Sequence, residues 1–286
     1  MLAAFRGEMF KLVRRPAIWV CIGMLLLLAL LIGYALLWFV YTHPPAGASQ
    51  GLAQGTRLSD NKVSLYPANV VKETLGMWGE LGGVFALILG VLVQGSEFGW
   101  GTVKTLYTQR SGRLVMLFGK VASLAVIVLV MVVALFAVDA FASLIVAKID
   151  GQSTTFPAVD VIAKGIGACF LIFGFWALFG VGLASLFRQS AMAIGLGLAY
   201  ALVVERLVFG LLAGVGGNTI NEIQQWFPIA NATYLVQSFG AAGIRAGASA
   251  TSPFADATHA VVVLVLYLAA FIAITAWLSH TRDVTS

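Results

Sequence analysis

From Ala17 to Tyr41 the chain runs 25 residues without a charged side chain. A helix that long, rising about 1.5 Å per residue, outreaches the roughly 30 Å hydrocarbon core of a bilayer. A cleaved leader has an apolar core of only about 7–15 residues, so the run reads as a membrane span and not as a signal peptide. Composition carries the inference to the rest of the chain. Of the 286 residues 60% are hydrophobic and 10% charged, against roughly 25% charged in soluble domains, and mean hydropathy is +0.96. The expected fold is all-α and integral to the membrane.

Five further apolar runs, 75–94, 121–147, 158–187, 191–215 and 260–279, join 17–41 to make six spans in one transmembrane domain over 1–286. Ahead of them, 1–16 reads as an amphipathic interfacial helix, with Leu2, Phe5, Met9, Leu12 and Val13 on one face. Glu8, Lys11, Arg14 and Arg15 make the other, and Pro16 ends it. The interval Thr42 to Thr74, rich in Pro, Gly, Ser and Asn, reads as irregular. In the second span Gly79 and Gly83 form a G-x-x-x-G pair, with Gly82 and Gly90 beside it, a pattern that permits close helix packing. Between the fifth and sixth spans two short helices are expected, too short to cross and so re-entrant or interfacial. One carries Ile220, Ile223, Trp226 and Phe227, the other Tyr234, Leu235 and Phe239.

Six spans with both termini cytoplasmic put ten Lys and Arg inside: Arg6, Lys11, Arg14, Arg15, Lys104, Arg110, Arg113, Lys120, Arg188 and Arg282. Six fall outside, namely Arg57, Lys62, Lys72, Lys148, Lys164 and Arg245. That bias orients a multi-pass protein of the cell membrane. The basic excess lies beside span ends, where anionic lipid and topology account for it, so nucleic acid is not an expected partner. Cys21 and Cys169 sit in apolar runs without metal or disulfide spacing. G-x-x-x-x-G-K-[ST], H-E-x-x-H and G-x-S-x-G are all missing from the sequence. His43, His259 and His280 lie near span ends, unlike paired haem ligands. The reading is therefore not an enzyme, and a catalytic site or bound metal is not expected.

Ionisable residues within the spans are costly, at least roughly 2.5–3.5 kcal/mol each near the centre, and should face the bundle interior. Counted from the span ends, Asp139 and Lys164 lie at similar depth, with Glu205 and Arg206 on the fifth span and Glu80 on the second. One polar network of Asp139, Lys164, Glu205 and Arg206 is the expectation, with Asp139 and Lys164 as its pair. It serves either to hold the spans together or to line a path for substrate.

The remaining charged interval is Gln94 to Lys120. Val103, Leu106 and Tyr107 fall at i, i+3 and i+4 with Lys104, Thr105 and Thr108 opposite, a short amphipathic helix. A basic loop that merely fixes topology has the same charge. Yet Glu97, then Gly101-Thr102, then Ser111-x-Arg113, then Gly119-Lys120 opening a span resembles the cytoplasmic loop of ATP-binding cassette (ABC) type-2 permeases. The stretch Ser185 to Ile194 and the tail Arg282 to Thr285 are similar in the same order. A proline expected near Ser111 is replaced by Gly112. The resemblance implies that Glu97, Gly101, Thr102, Val103, Leu106, Tyr107, Arg110, Arg113 and Lys120 belong to a coupling helix that docks on a separate ATPase. It further implies two ATPase copies, a second permease chain in a homodimer or heterodimer, surrounding lipid, and ATP and Mg held by the partner while this chain binds no cofactor. Outward export of a hydrophobic or amphiphilic drug, antibiotic peptide or lipid follows. The alternative is a self-contained secondary transporter or channel that uses Asp139 and Glu205 as coupling carboxylates, although halves 1–147 and 158–286 show no clear repeat.

Overall fold

The computed structural model describes residues 2–43, 58–99, 112–212, 217–241 and 256–281. Its helices, in chain order, are α1 (Leu2–Val13), α2 (Pro16–Thr42), α3 (Val70–Gly99), α4 (Arg113–Ile149), α5 (Val159–Phe187), α6 (Ser190–Leu212), α7 (Gly217–Gln224), α8 (Pro228–Gln237) and α9 (Ala257–Thr281). Two 3₁₀ segments, Leu58–Leu65 and Pro67–Asn69, lead into α3. Six of these helices, α2 to α6 and α9, are long and apolar enough to cross a membrane. No strand occurs among the described residues. The two short helices expected between the fifth and sixth spans are α7 and α8. Tyr234 and Leu235 of α8 are buried, whereas Ile223 in the last turn of α7 and Trp226 just beyond it are mostly exposed.

The bundle is built on α3 against α5, the most extensive pairing. Glycine makes it possible. A Cβ added to Gly90 would overlap the carbonyl of Ala177, and one added to Gly180 would overlap the carbonyl of Leu87, so the two backbones touch. Gly82 and Gly83 instead seat the rings of Phe173 and Trp176. The small-residue signal in the second span is thus real packing, but the backbone contact falls at Gly90. Around this pair, α4 and α9 pack on α5, and α6 lies across α3 and α5. Trp78, Phe173, Phe175, Leu87, Leu124 and Met131 are fully buried in the shared core. Outward faces remain apolar, with Val20, Phe141, Leu211 and Trp277 exposed. In a bilayer, lipid covers such faces at no hydrophobic cost.

Two spans are interrupted. Ala29–Leu36 in α2 and Tyr200–Val204 in α6 wind as π-helix, a local widening often found beside functional groups. Between α5 and α6 the chain turns through Arg188, a non-glycine residue in the left-handed region at φ 53°. The α1 helix is present, lying against the start of α4. Its protein-facing edge, however, runs through Ala4, Glu8 and Leu12, spaced by four: Ala4 approaches Gly119, and Glu8 and Leu12 are buried. Glu8, expected on the polar face, is held by Lys11 at 2.8 Å. Leu2, Phe10 and Val13 are left exposed.

Candidate functional site

α2, α4 and α6 begin, and α3, α5 and α9 finish, at the end of the bundle that carries α1, termed the near end. There the last turns of α3 are gripped from three sides. Arg15, between α1 and α2, donates to Ser96 Oγ at 2.6 Å and to the Leu92 carbonyl at 3.4 Å. Lys120 of α4 is buried and donates to Gln94 Oε1 at 2.8 Å. Ser190, the first residue of α6, fills the space over Gly95. From α4, Ser123 also donates to the Phe5 carbonyl of α1 at 3.3 Å. The Arg15 and Lys120 bonds are charge-assisted, stronger than neutral ones and more so away from water.

This collar corrects one expectation. Lys120 does not belong to the charged segment between spans: α4 begins at Arg113, and Lys120 sits inside it, satisfied by Gln94. The apolar run Leu114 to Phe118 extends the helix backward, just as α3 runs on to Gly99. Glu97 lies in the final turns of α3 and Arg113 opens α4. Gly101, Thr102, Val103, Leu106, Tyr107 and Arg110 lie outside the described residues. The contacts of Arg15 with Ser96 and of Gln94 with Lys120 are not foreseen from sequence. Their signal is polarity at the mouth of an apolar run.

At the far end the expected pair of Asp139 and Lys164 does not form. Lys164 pairs with Asp160, four residues earlier on the same helix, at 3.3 Å, and its side chain is 70% exposed. Asp139 is fully buried and takes one hydrogen bond, from Thr74 Oγ1 of α3 at 2.7 Å. Similar depth put Asp139 and Lys164 together on paper, but Lys164 faces away from the bundle. Glu205 instead bonds to Tyr200 and to the start of α8. The side chain of Arg206 is not described. What ties the far end together is Asp150, just past α4. It accepts from Lys62 at 2.7 Å, Tyr66 at 3.3 Å and Trp38 at 3.5 Å. Burial, then the Asp150 carboxylate, holds the Tyr66 phenol above its usual range. Asp150→Ala is expected to destabilise the purified protein by about 1–3 kcal/mol, and Lys164→Met by less than about 0.5 kcal/mol. Thermal melting in detergent checks both.

Glu205, buried in α6 directly after the π-helical turn, bonds to the start of α8. Its carboxylate accepts from the backbone N–H of Ile229 at 3.2 Å and of Ala230 at 3.0 Å, and from Tyr200 Oη at 2.9 Å. Pro228 occupies the first helical position and Phe227, at the N-cap, offers no capping side chain. A carboxylate from another span therefore supplies the acceptors that a helix N-terminus lacks and also meets the positive end of its dipole. Elsewhere α8 is held by Thr233 to Glu80 at 3.4 Å and by Asn231 to His259 of α9 at 3.2 Å.

Bundle, glycine seam and apolar exterior define a multi-pass helical membrane protein. Among the described residues no cluster of His, Cys, Asp and Glu suits a metal ion. The chain belongs to the family described as "Protein of unknown function (DUF2705)", whose model matches residues 60–285. No curated protein matches it.

Proposed function

We propose that the chain is the membrane-spanning permease subunit of an ABC type-2 exporter. The observation that carries the reading is the near-end collar. It grips the end of α3 from the α1–α2 junction, α4 and α6, and α3 leads straight into the segment at 100–111 that resembles a coupling helix. A push on that segment then reaches four helices at once. Two copies of a separate ATPase, holding ATP and Mg, dock beneath a pair of permease chains in the cell membrane. Both termini are cytoplasmic, α1 lies in the inner interface, and α7 and α8 are re-entrant from outside. The cargo is a hydrophobic or amphiphilic drug, antibiotic peptide or lipid, moved outward. Glu205 speaks against the rival of a carboxylate-coupled transporter, since its oxygens are engaged by Tyr200 and by the two amides that open α8.

The test uses the apolar face of Val103, Leu106 and Tyr107 read from sequence. Leu106→Asp or Tyr107→Asp is expected to release a P-loop ATPase encoded beside this chain from the detergent-solubilised complex. ATP turnover should also lose its dependence on the permease. Unchanged co-purification and unchanged turnover would overturn the reading.

A further inference from the structure

Asp139 lies about 15 Å, ten residues of helix, from the far end of α4. Its Oδ1 has no hydrogen-bond partner although the residue is fully buried, and the Tyr34 hydroxyl, buried in the π-helical stretch of α2, has none either. The two lie within electrostatic reach of each other. The groups facing Asp139 are known element by element: Thr74 and Glu73 from α3, Tyr34 from α2, and Cys169 from α5. None is a cation. Lys62 of the 3₁₀ segment is held on Asp150, Lys164 is turned outward onto Asp160, Lys72 and Lys148 are exposed, and His259 of α9 bonds to Asn231. Glu73, the charged group that acts on Asp139, has the same sign and is hydrogen-bonded to Ser64.

We infer that Asp139 is a proton-binding site: its carboxyl holds a proton while α2, α3, α4 and α5 are packed as here, and gives it up when their far ends part. Among the described residues an ionised carboxylate here would accept from one hydroxyl, Thr74, and meet no counter-charge, a state that burial makes expensive. Thr74 can donate to Oδ2 whichever form is present, so it does not choose between them. A proton on Oδ1 removes the charge and converts a bare acceptor into a donor for oxygens nearby. A metal cation is the poorer fit, because two carboxylates, one of them hydrogen-bonded to Ser64, and two hydroxyls fall short of the six or more oxygens that hard cations gather. The site is independent of the exporter reading and would hold for any motion that opens this end.

The sign follows from linkage. The packed bundle keeps a proton that an aspartate in the unfolded chain has already lost above about pH 4, so stability falls as pH rises beyond that point. Melting of the purified protein in detergent, from about pH 5 to pH 9, is expected to drop by several degrees for the wild type and to stay flat for Asp139→Asn, a neutral isostere. Equal slopes in the two proteins would overturn the assignment. So would stabilisation by sodium or potassium at fixed pH that Asp139→Asn abolishes, which marks a cation site instead. Should Asp139→Asn fail to fold, infrared spectra of the wild type with carbonyl-labelled aspartate decide. Asp139 is the buried aspartate among the described residues, so a protonated-acid band persisting at neutral pH supports the site and its absence refutes it.

Discussion

Gly90→Ala is expected to leave little folded protein. A single methyl there overlaps the Ala177 carbonyl, and the nearest atoms are all backbone. Where a new methyl meets the tip of a side chain, a rotamer can yield. Here one of two helices must move, and α3 and α5 are the pair on which the others pack. Overpacking in a core with some freedom costs typically about 1–3 kcal/mol; with none, about 3 kcal/mol or more is expected, a large part of the roughly 5–15 kcal/mol that holds a typical protein folded. Gly174→Ala is the control, since its Cβ would meet only Leu268 Cδ2 at 3.9 Å, an ordinary contact. Size-exclusion profiles and melting of the two variants make the comparison. A monodisperse Gly90→Ala protein that melts with Gly174→Ala would show that the helices do not meet through this glycine.

Span positions were legible because a lipid-crossing helix needs a long apolar run and little else. Span ends were less so. Gln94 and Lys120 looked like the borders of a polar segment, yet each neutralises the other's need for water and both sit inside helices. Pairing was least legible. Depth along a helix follows from counting residues, but the direction a side chain points depends on rotation about the axis, which counting does not give across different spans. The Asp160 to Lys164 spacing of four, a local signal for an ion pair on one helix, was available and was outweighed by matched depth with Asp139. The partner of Glu205 was beyond reach of any local rule. It caps a helix more than twenty residues on, and the π-helical turn before it shifts the register on which a facing pattern would be read.

Glu205→Ala is expected to loosen α8 and the far end while the α3–α5 seam stays intact. The change strips one acceptor group from three donors, the Ile229 and Ala230 amides and the Tyr200 hydroxyl, in a place closed to water. Each buried polar group left unsatisfied costs about 1–3 kcal/mol. Because the three share one carboxylate, their losses do not add in full, and a total of about 3–5 kcal/mol is expected, as for one side of a buried charged interaction. Glu205→Gln separates the components. It keeps an acceptor oxygen but turns an amide NH₂ toward backbone N–H groups and removes the charge that meets the helix dipole, a contribution of about 0.3–2 kcal/mol. It should therefore fall between wild type and alanine. Tyr200→Phe removes one donor and leaves the cap in place, so its loss should be the smallest, near 1 kcal/mol. Amide hydrogen exchange gives the residue-level reading: protection at Ile229 and Ala230 should collapse in Glu205→Ala, with the amides around Leu87 and Ala177 unchanged. If Glu205→Gln and Glu205→Ala retain protection at α8 but lose transport of a cationic substrate, the carboxylate serves the path and not the helix, and the capping role is wrong.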